Sequence, residues 1–495
     1  MEHVGMTENN TYISLSTEHQ DHTSVLPAEI LATVFDLAYG GARRTSKKLV
    51  PCAVCSRWRG IAWYYRLLWK DFKFPLGAPY KQIDRLFELH AQNAGDMPLF
   101  VEVQHCSSND VFNRLYECIF GKYSSRIASL ELRGIGQSTW EIIQSISASS
   151  PFPHLRTLKL WTDPPAGGEN ELSEWCSHFP NVRNLWFGNP FFAVHDVFHM
   201  EHITSLSFTE IHPDTAVYLL SRSTNLVTFI ADYVDSSEDK PDYLPNPVLS
   251  RDVVLPHLHN FTWFDRTYGS VPETTPVHHL RLPAVRHLHW HWREYGITTG
   301  CWASWQRCFR SMKNLETLRL EMEAEGEYYV PRILPIFARL PLRQLSIGVC
   351  CMPRWNWEEC IDYLDLDINP KRPLFPALET LKFTMITGWG PGYTSENLVV
   401  WNPIINMLAS RRKPGLPEGH APLQYFHIDS EWFVHCSSWR CVDSSWRSQH
   451  YLSLREIFKN RLVYNGKDID LIIAECQDAR EEKDGELLLL SLKDF

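Results

Sequence analysis

Three groups of residues in this sequence have types and spacing that could support chemistry. Cys52-Ala53-Val54-Cys55 has the two-residue gap of a zinc or dithiol pair. A structural zinc needs four ligands, and no second pair follows at a suitable distance; a redox pair would be expected beside a βαβ pattern, and this one sits in an apolar helical stretch. His287-Leu288-His289-Trp290-His291 alternates three imidazoles, which a strand would turn to one face. The first and third would lie about 13 Å apart, so two could share an ion but not all three. His427, His435, Cys436 and Cys441 form another ligand-rich region whose spacing fits no motif. The chain lacks a Gly-rich phosphate loop and a Gly-x-Ser-x-Gly elbow, and its carboxylates form no recognisable acid–base pair. The sequence therefore nominates no catalytic residue, no metal and no cofactor. The cysteines read as small buried residues and the imidazoles as polar residues on a strand.

The element carrying the imidazoles is one copy of a repeat. Beyond residue 120 the pattern apolar-x-x-apolar-x-apolar recurs, first as Ile127/Leu130/Leu132, Leu155/Leu158/Leu160, Val182/Leu185/Phe187, Ile203/Leu206/Phe208 and Leu226/Phe229/Ala231. It continues as Leu258/Phe261/Trp263, Val285/Leu288/Trp290, Leu315/Leu318/Leu320, Leu342/Leu345/Ile347, Leu378/Leu381/Phe383 and Leu423/Phe426/Ile428. Most copies start 21 to 32 residues apart; the last two gaps, 36 and 45, suggest insertions. Several copies share a lead-in, as in Phe152-Pro153-His154-Leu155, Phe179-Pro180-Asn181-Val182 and Leu282-Pro283-Ala284-Val285. In each copy the second and third apolar residues alternate and so share a strand face, with the first in the preceding turn. One such unit buries too little alone, and stacking makes the core continuous. Helices are expected between strands over Thr139–Ser147, Ser304–Met312 and Trp401–Ala409. The spacing leaves room for one strand and one helix per unit, which argues against a four-stranded propeller blade.

Residues alternating with the apolar strand positions should face solvent on the concave side. Lys159, Trp161, Trp186, His289, His291, Arg319 and Glu321 are the candidate substrate-binding residues; Trp and Arg are the commonest anchors at protein interfaces. Pro/Asp/Ser-rich stretches, the longest over Asp232–Asn246, read as exposed loops.

Upstream, residues 25–69 read as a helical hairpin. Pro27 suits a first helical position, and Glu29 places negative charge in the first turn. Ile30, Leu31, Val34, Phe35 and Ala38 recur at helical spacing, and a second short helix carries Val54, Trp58 and Ile61. A unit of about 45 residues is near the lower limit for independent stability, so it needs the rest of the chain or a partner.

This stretch resembles an F-box. The residues that carry the resemblance are Leu26-Pro27, Glu29-Ile30-Leu31, Val34-Phe35, Val54-Cys55-Ser56-Arg57-Trp58-Arg59 and Leu68-Trp69; the long basic loop Gly40–Lys48 departs from the pattern. The resemblance implies docking to the Skp-type adaptor of a cullin-RING ubiquitin ligase, with Leu26, Pro27, Ile30, Leu31, Val34, Phe35, Val54, Trp58 and Trp69 as the adaptor-binding set. The repeats resemble the irregular leucine-rich repeats that come after many F-boxes, although the usual Asn or Cys after the strand is mostly missing. Together the two resemblances imply an α/β chain that binds an adaptor at one end and a protein substrate at the other, and does no bond chemistry itself. The rival reading is an interaction scaffold with no ligase role.

Composition bounds the rest. Hydrophobic content of 44% and aromatic content of 13% describe a chain with a large core. A net charge of −10 argues against a nucleic-acid binder, and no apolar run is long enough to span a membrane. Thirteen cysteines, an odd number scattered over a long chain, suggest free thiols in the cytoplasm or nucleus. The expected layout is a lead-in over 1–22, the F-box-like unit over 24–70, a helical connector over 71–120, the leucine-rich-repeat-like solenoid over 121–465 and a cap or tail over 466–495.

Overall fold

The computed structural model describes residues 22–40, 50–74, 83–104, 117–135, 152–162, 179–188, 200–234, 252–265, 278–293, 299–323, 330–338, 340–350, 354–368, 374–386, 401–412, 415–416, 419–430, 463–464 and 467–468. The helix expected over Thr139–Ser147, and His435, Cys436 and Cys441, lie outside the described residues. So do most of Asp232–Asn246 and most of the C-terminal cap. The chain divides into two compact units, residues 1–100 and 101–495.

In the first unit, α1 spans Ala28–Phe35 and continues as a π-helical turn over Asp36–Gly40. Pro27 takes the N-cap, one place earlier than its sequence context suggested, and its carbonyl accepts the first helical bond from Leu31 N–H at 3.2 Å. Helices α2 (Val50–Val54) and α3 (Ser56–Tyr64) meet at Cys55. That residue is extended, and its Sγ accepts from Trp58 N–H at 3.4 Å, so the thiol acts as a cap for α3. Trp69 is fully buried: its Nε1 donates to Ala62 O at 2.7 Å, and its ring stacks on Trp63 at 5.0 Å. His90 meets Trp69 edge-on at 4.9 Å and Phe72 at 5.0 Å. The stretch expected to be a helical connector holds one described helix, α4 (Ile83–Asn93), and two strands, β1 (Asp71–Lys73) and β2 (Leu99–Gln104), the latter crossing residue 100. Leu99, Val101 and Val103 are buried at every second place, so β2 obeys the two-residue period of a strand.

The second unit is mixed α/β, with one large parallel sheet. The unit's strands are β3 (Ile127–Ile135), β4 (Thr157–Thr162), β5 (Asn184–Phe187), β6 (Ser205–Phe208), β7 (Thr228–Val234), β8 (Val253–Val254), β9 (Asn260–Asp265), β10 (Leu280–Arg281), β11 (His287–Arg293), β12 (Thr317–Glu323), β13 (Gln344–Cys350), β14 (Thr380–Ile386), β15 (Tyr425–Ser430), β16 (Val463–Tyr464) and β17 (Lys467–Asp468), the last antiparallel to β16. From β3 onward the neighbours follow chain order, except that β8 and β10 leave the sheet to pair with each other. Every copy of the sequence pattern provides one strand, and the copies align in register. Leu158 faces Leu185, Leu185 faces Leu206, and Leu206 faces Phe229; the row runs on through Phe261, Leu288, Leu318, Leu345 and Leu381. A one-residue slip would turn this apolar row to solvent, so burial fixes the register.

The shared lead-in is a four-residue turn. Leu155 N–H donates to Phe152 O at 3.3 Å, and the same bond recurs at Val182, Val285 and Leu378. Proline at the second turn position presets its φ, and Phe152, Phe179, Leu282 and Phe375 are buried beneath. Asparagines link successive turns: Asn181 Nδ2 donates to Pro153 O at 2.8 Å, Asn225 to Glu201 O at 2.7 Å and Asn314 to Pro283 O at 3.1 Å. The repeat thus places asparagines in the turn before a strand rather than after it.

Helices α5 (Pro213–Arg222), α6 (Thr299–Ser311), α7 (Val330–Phe337), α8 (Arg354–Leu364) and α9 (Trp401–Arg412) fall between strands, and α6 and α9 contain or overlap the two expected stretches. Trp290 of the sheet packs on Trp305 of α6 at 4.9 Å, and Phe309 of α6 meets Phe337 of α7 at 4.9 Å. Along the sheet, aromatic rings continue from Phe187 to Phe208, Phe229, Phe261 and Trp290. Such contacts add about 0.5–1.5 kcal/mol each beyond burial. Among the described residues no helix is long and apolar enough to cross a membrane.

Candidate functional site

The helical unit leaves apolar side chains exposed on two helices and just ahead of the first. Ile30, Val34 and Leu37 follow helical spacing and are 50%, 43% and 83% exposed. Val50 and Val54 repeat the arrangement one turn apart on α2, and Val25 and Leu26 lie just ahead of α1; all four are exposed. The segment before α1 is pinned: Arg57 donates to the carbonyls of Thr23 and Leu26, and Trp58 Nε1 donates to Thr23 Oγ1 at 2.8 Å. The exposed residues ahead of α1 are therefore held in place by α3.

The expected adaptor-binding set divides. Leu26, Pro27, Ile30, Val34 and Val54 are exposed, and Trp58 is half-buried with its ring 4.9 Å from Phe35. Leu31, Phe35 and Trp69 are instead sealed in the unit's own core. The cause is the helical rotation of about 100° per residue: positions 31 and 35 point inward while 30 and 34 point out. Leu37 and Val50 were missed in the sequence, although they extend the spacing of Ile30/Val34 and Val54.

On the sheet, the candidate substrate-binding residues form two separate groups. The first joins β3, β4 and β5. Arg133 Nε donates to Glu131 Oε1 at 2.6 Å, Lys159 lies 3.4 Å from the same carboxylate, and Arg133 stacks over Trp161 at 4.8 Å. Trp161 and Trp186 are half-buried, with ring centres 3.7 Å apart. A Cβ on Gly188 would stand 2.6 Å from Cε3 of Trp161, so only glycine leaves room for that indole.

The second group joins β9, β11 and β12. Glu321 and His291, expected to face solvent, are 6% and 4% exposed. Their burial has local causes. His291 stacks on Phe264 at 5.2 Å, and Glu321 takes a bond from Arg319 Nε at 2.7 Å while His289 Nε2 stands 3.4 Å away in ion-pair range. That last contact is electrostatic, because Nε2 lacks hydrogen-bond geometry to the carboxylate. Burial opposes ionisation of Glu321, but His289 and the Arg319 guanidinium outweigh it and hold the carboxyl down at about 2. Burial also raises Asp232, with the charge of His289 opposing.

The remaining ligand-like residues do not assemble. His287 is exposed, His289 and His291 both lie against Phe264, and among the described residues no three His, Cys, Asp or Glu are grouped to hold a metal ion. Cys308 and Cys360 are buried, which pushes the first thiol up to about 12 and the second up as well. Comparison with protein-family models and with curated proteins finds no match to this chain.

Proposed function

We propose that this chain is the substrate-recognition subunit of a cullin-RING ubiquitin ligase. Its F-box-like helical unit would dock a Skp-type adaptor, and its repeats, read as leucine-rich-repeat-like, would hold a protein substrate. The observation that carries the proposal is the exposure of Ile30, Val34, Leu37, Val50 and Val54 on a unit in which Leu31, Phe35 and Trp69 are already buried. An apolar patch of this kind on an otherwise closed unit marks a docking site. On this reading the chain performs no bond chemistry; it raises the local concentration of substrate at the ligase. Sequence order supports the reading, since Leu26-Pro27, Glu29-Ile30 and Val54 of the F-box-like pattern are exposed.

The test is co-precipitation of a purified Skp-type adaptor by the full chain. Capture by the intact chain and loss on the double substitution Ile30→Asp, Val34→Asp support the proposal. No capture by the intact chain leaves an interaction scaffold without a ligase role.

A further inference from the structure

The outward row of the large sheet has a charge pattern that specifies a partner. In register it runs from Glu131 (β3) through Lys159 (β4), Trp186 (β5), the buried Ser207 (β6), Ile230 (β7), Thr262 (β9), His289 (β11) and Arg319 (β12) to Ser346 (β13), Lys382 (β14) and His427 (β15). Within it, Lys159 on one side and His289 with Arg319 on the other flank a stretch, Trp186 to Thr262, that is apolar or neutral.

The two flanks share a motif, although Arg133 also lies 3.6 Å from a second carboxylate, Glu102. At each, a carboxylate lies beneath a cation from its own strand and a base from the neighbouring strand: Glu131 under Arg133 and Lys159, Glu321 under Arg319 and His289. The carboxylates are the sheltered partners, with 13% and 8% of their side chains exposed, against 44% for Lys159 and 47% for Arg319. The more exposed charge of each pair is therefore positive, on a chain whose net charge is −10. In the middle, Asp232 comes two residues after Ile230 on β7 and is exposed, so a carboxylate placed there would be repelled.

Six strand steps separate Lys159 from Arg319, a span of about 29 Å at the usual strand spacing of about 4.8 Å. An extended chain covers that distance in about nine residues. We infer that this face binds an extended segment of a partner protein with acidic residues at both ends and apolar residues between, laid across the strands. The identity of that partner as a ligase substrate rests on the proposal above; the chemistry of the face does not.

The experiment uses the full chain and fluorescent synthetic peptides of about nine residues, followed by polarisation. One peptide carries glutamates at both ends around an apolar centre; a second has lysines at the ends; a third has the composition of the first with its glutamates moved to the centre. The acid-ended peptide should bind, with affinity falling as salt rises. The central-acid peptide should bind at least about ten-fold more weakly, and Lys159→Glu or Arg319→Glu should each weaken the acid-ended peptide about ten-fold. Lys159→Met, which keeps the side-chain bulk, should give a smaller loss in the same direction. Failure of the acid-ended peptide to bind, equal binding of the lysine-ended peptide, or indifference to both charge reversals would overturn the inference. Adaptor capture by the same preparations separates the two claims. Capture without peptide binding sinks only this one, and peptide binding without capture sinks only the ligase proposal.

Discussion

Replacing Glu321 with Gln keeps the shape of a buried side chain and removes its charge. Glu321 is 6% exposed, and its carboxyl is held at about 2 against an ordinary value of 4.5. A carboxyl whose folded pKa lies below its unfolded one stabilises the fold above the unfolded value and loses that contribution as pH falls through the folded one. The window here runs from about pH 5 down to about pH 2. The full shift sets a ceiling of about 3 kcal/mol at neutral pH. Arg319 is half-exposed and screened, so the net figure should be about 1–2 kcal/mol. Urea unfolding of the intact chain and of Glu321→Gln, followed by tryptophan fluorescence at pH 7 and again at pH 3.5, measures it. The variant should unfold at lower urea at pH 7, and the gap should narrow at the acid pH. An equal gap at both pH values, or none at pH 7, would refute the electrostatic account of this group.

Three further outcomes rest on the packing. Gly188→Ala places a methyl against the Trp161 indole and should destabilise the second unit by about 1–3 kcal/mol, read as a lower unfolding midpoint; an unchanged midpoint would mean that the indole moves freely. Arg411, 1% exposed, donates to the carbonyls of Leu364, Leu374 and Phe375, so Arg411→Met should strand those acceptors and speed amide exchange at the end of α8 and around Phe375, at a cost of about 2–4 kcal/mol. A thiol reagent followed by peptide mapping should label Cys52 and Cys55 in the native chain and spare Cys308 and Cys360 until denaturant is added.

The sequence made some of this legible and hid the rest for physical reasons. The apolar-x-x-apolar-x-apolar copies became strands in register because a two-residue period with one buried face admits a single pairing. The Pro lead-in announced a turn because proline presets φ. Neither signal says which outward residue will be covered. The alternation places His291 and Glu321 toward solvent, and it is the packing of Phe264, His289 and Arg319 from three strands that covers them. In α1 the choice between Ile30/Val34 and Leu31/Phe35 as the free face turned on which side met Trp58, a tertiary fact. β1, three residues long, is too short for periodicity to reveal. The linking role of Asn181, Asn225 and Asn314 was hidden because it needs the neighbouring turn as acceptor.

The central claim is that apolar side chains on the helical unit are left open for another protein. Burying the side chains of Ile30, Val34, Leu37 and Val54 would contribute about 1 kcal/mol each, about 4 kcal/mol together, a factor on the order of a thousand in affinity. A calorimetric titration of the purified Skp-type adaptor into the full chain reads this directly. Saturable binding with a negative heat-capacity change is expected, together with a loss of at least about a hundred-fold on Ile30→Asp, Val34→Asp at an unaltered thermal melt. Binding that ignores that double substitution, or no heat from the intact chain, would contradict the claim.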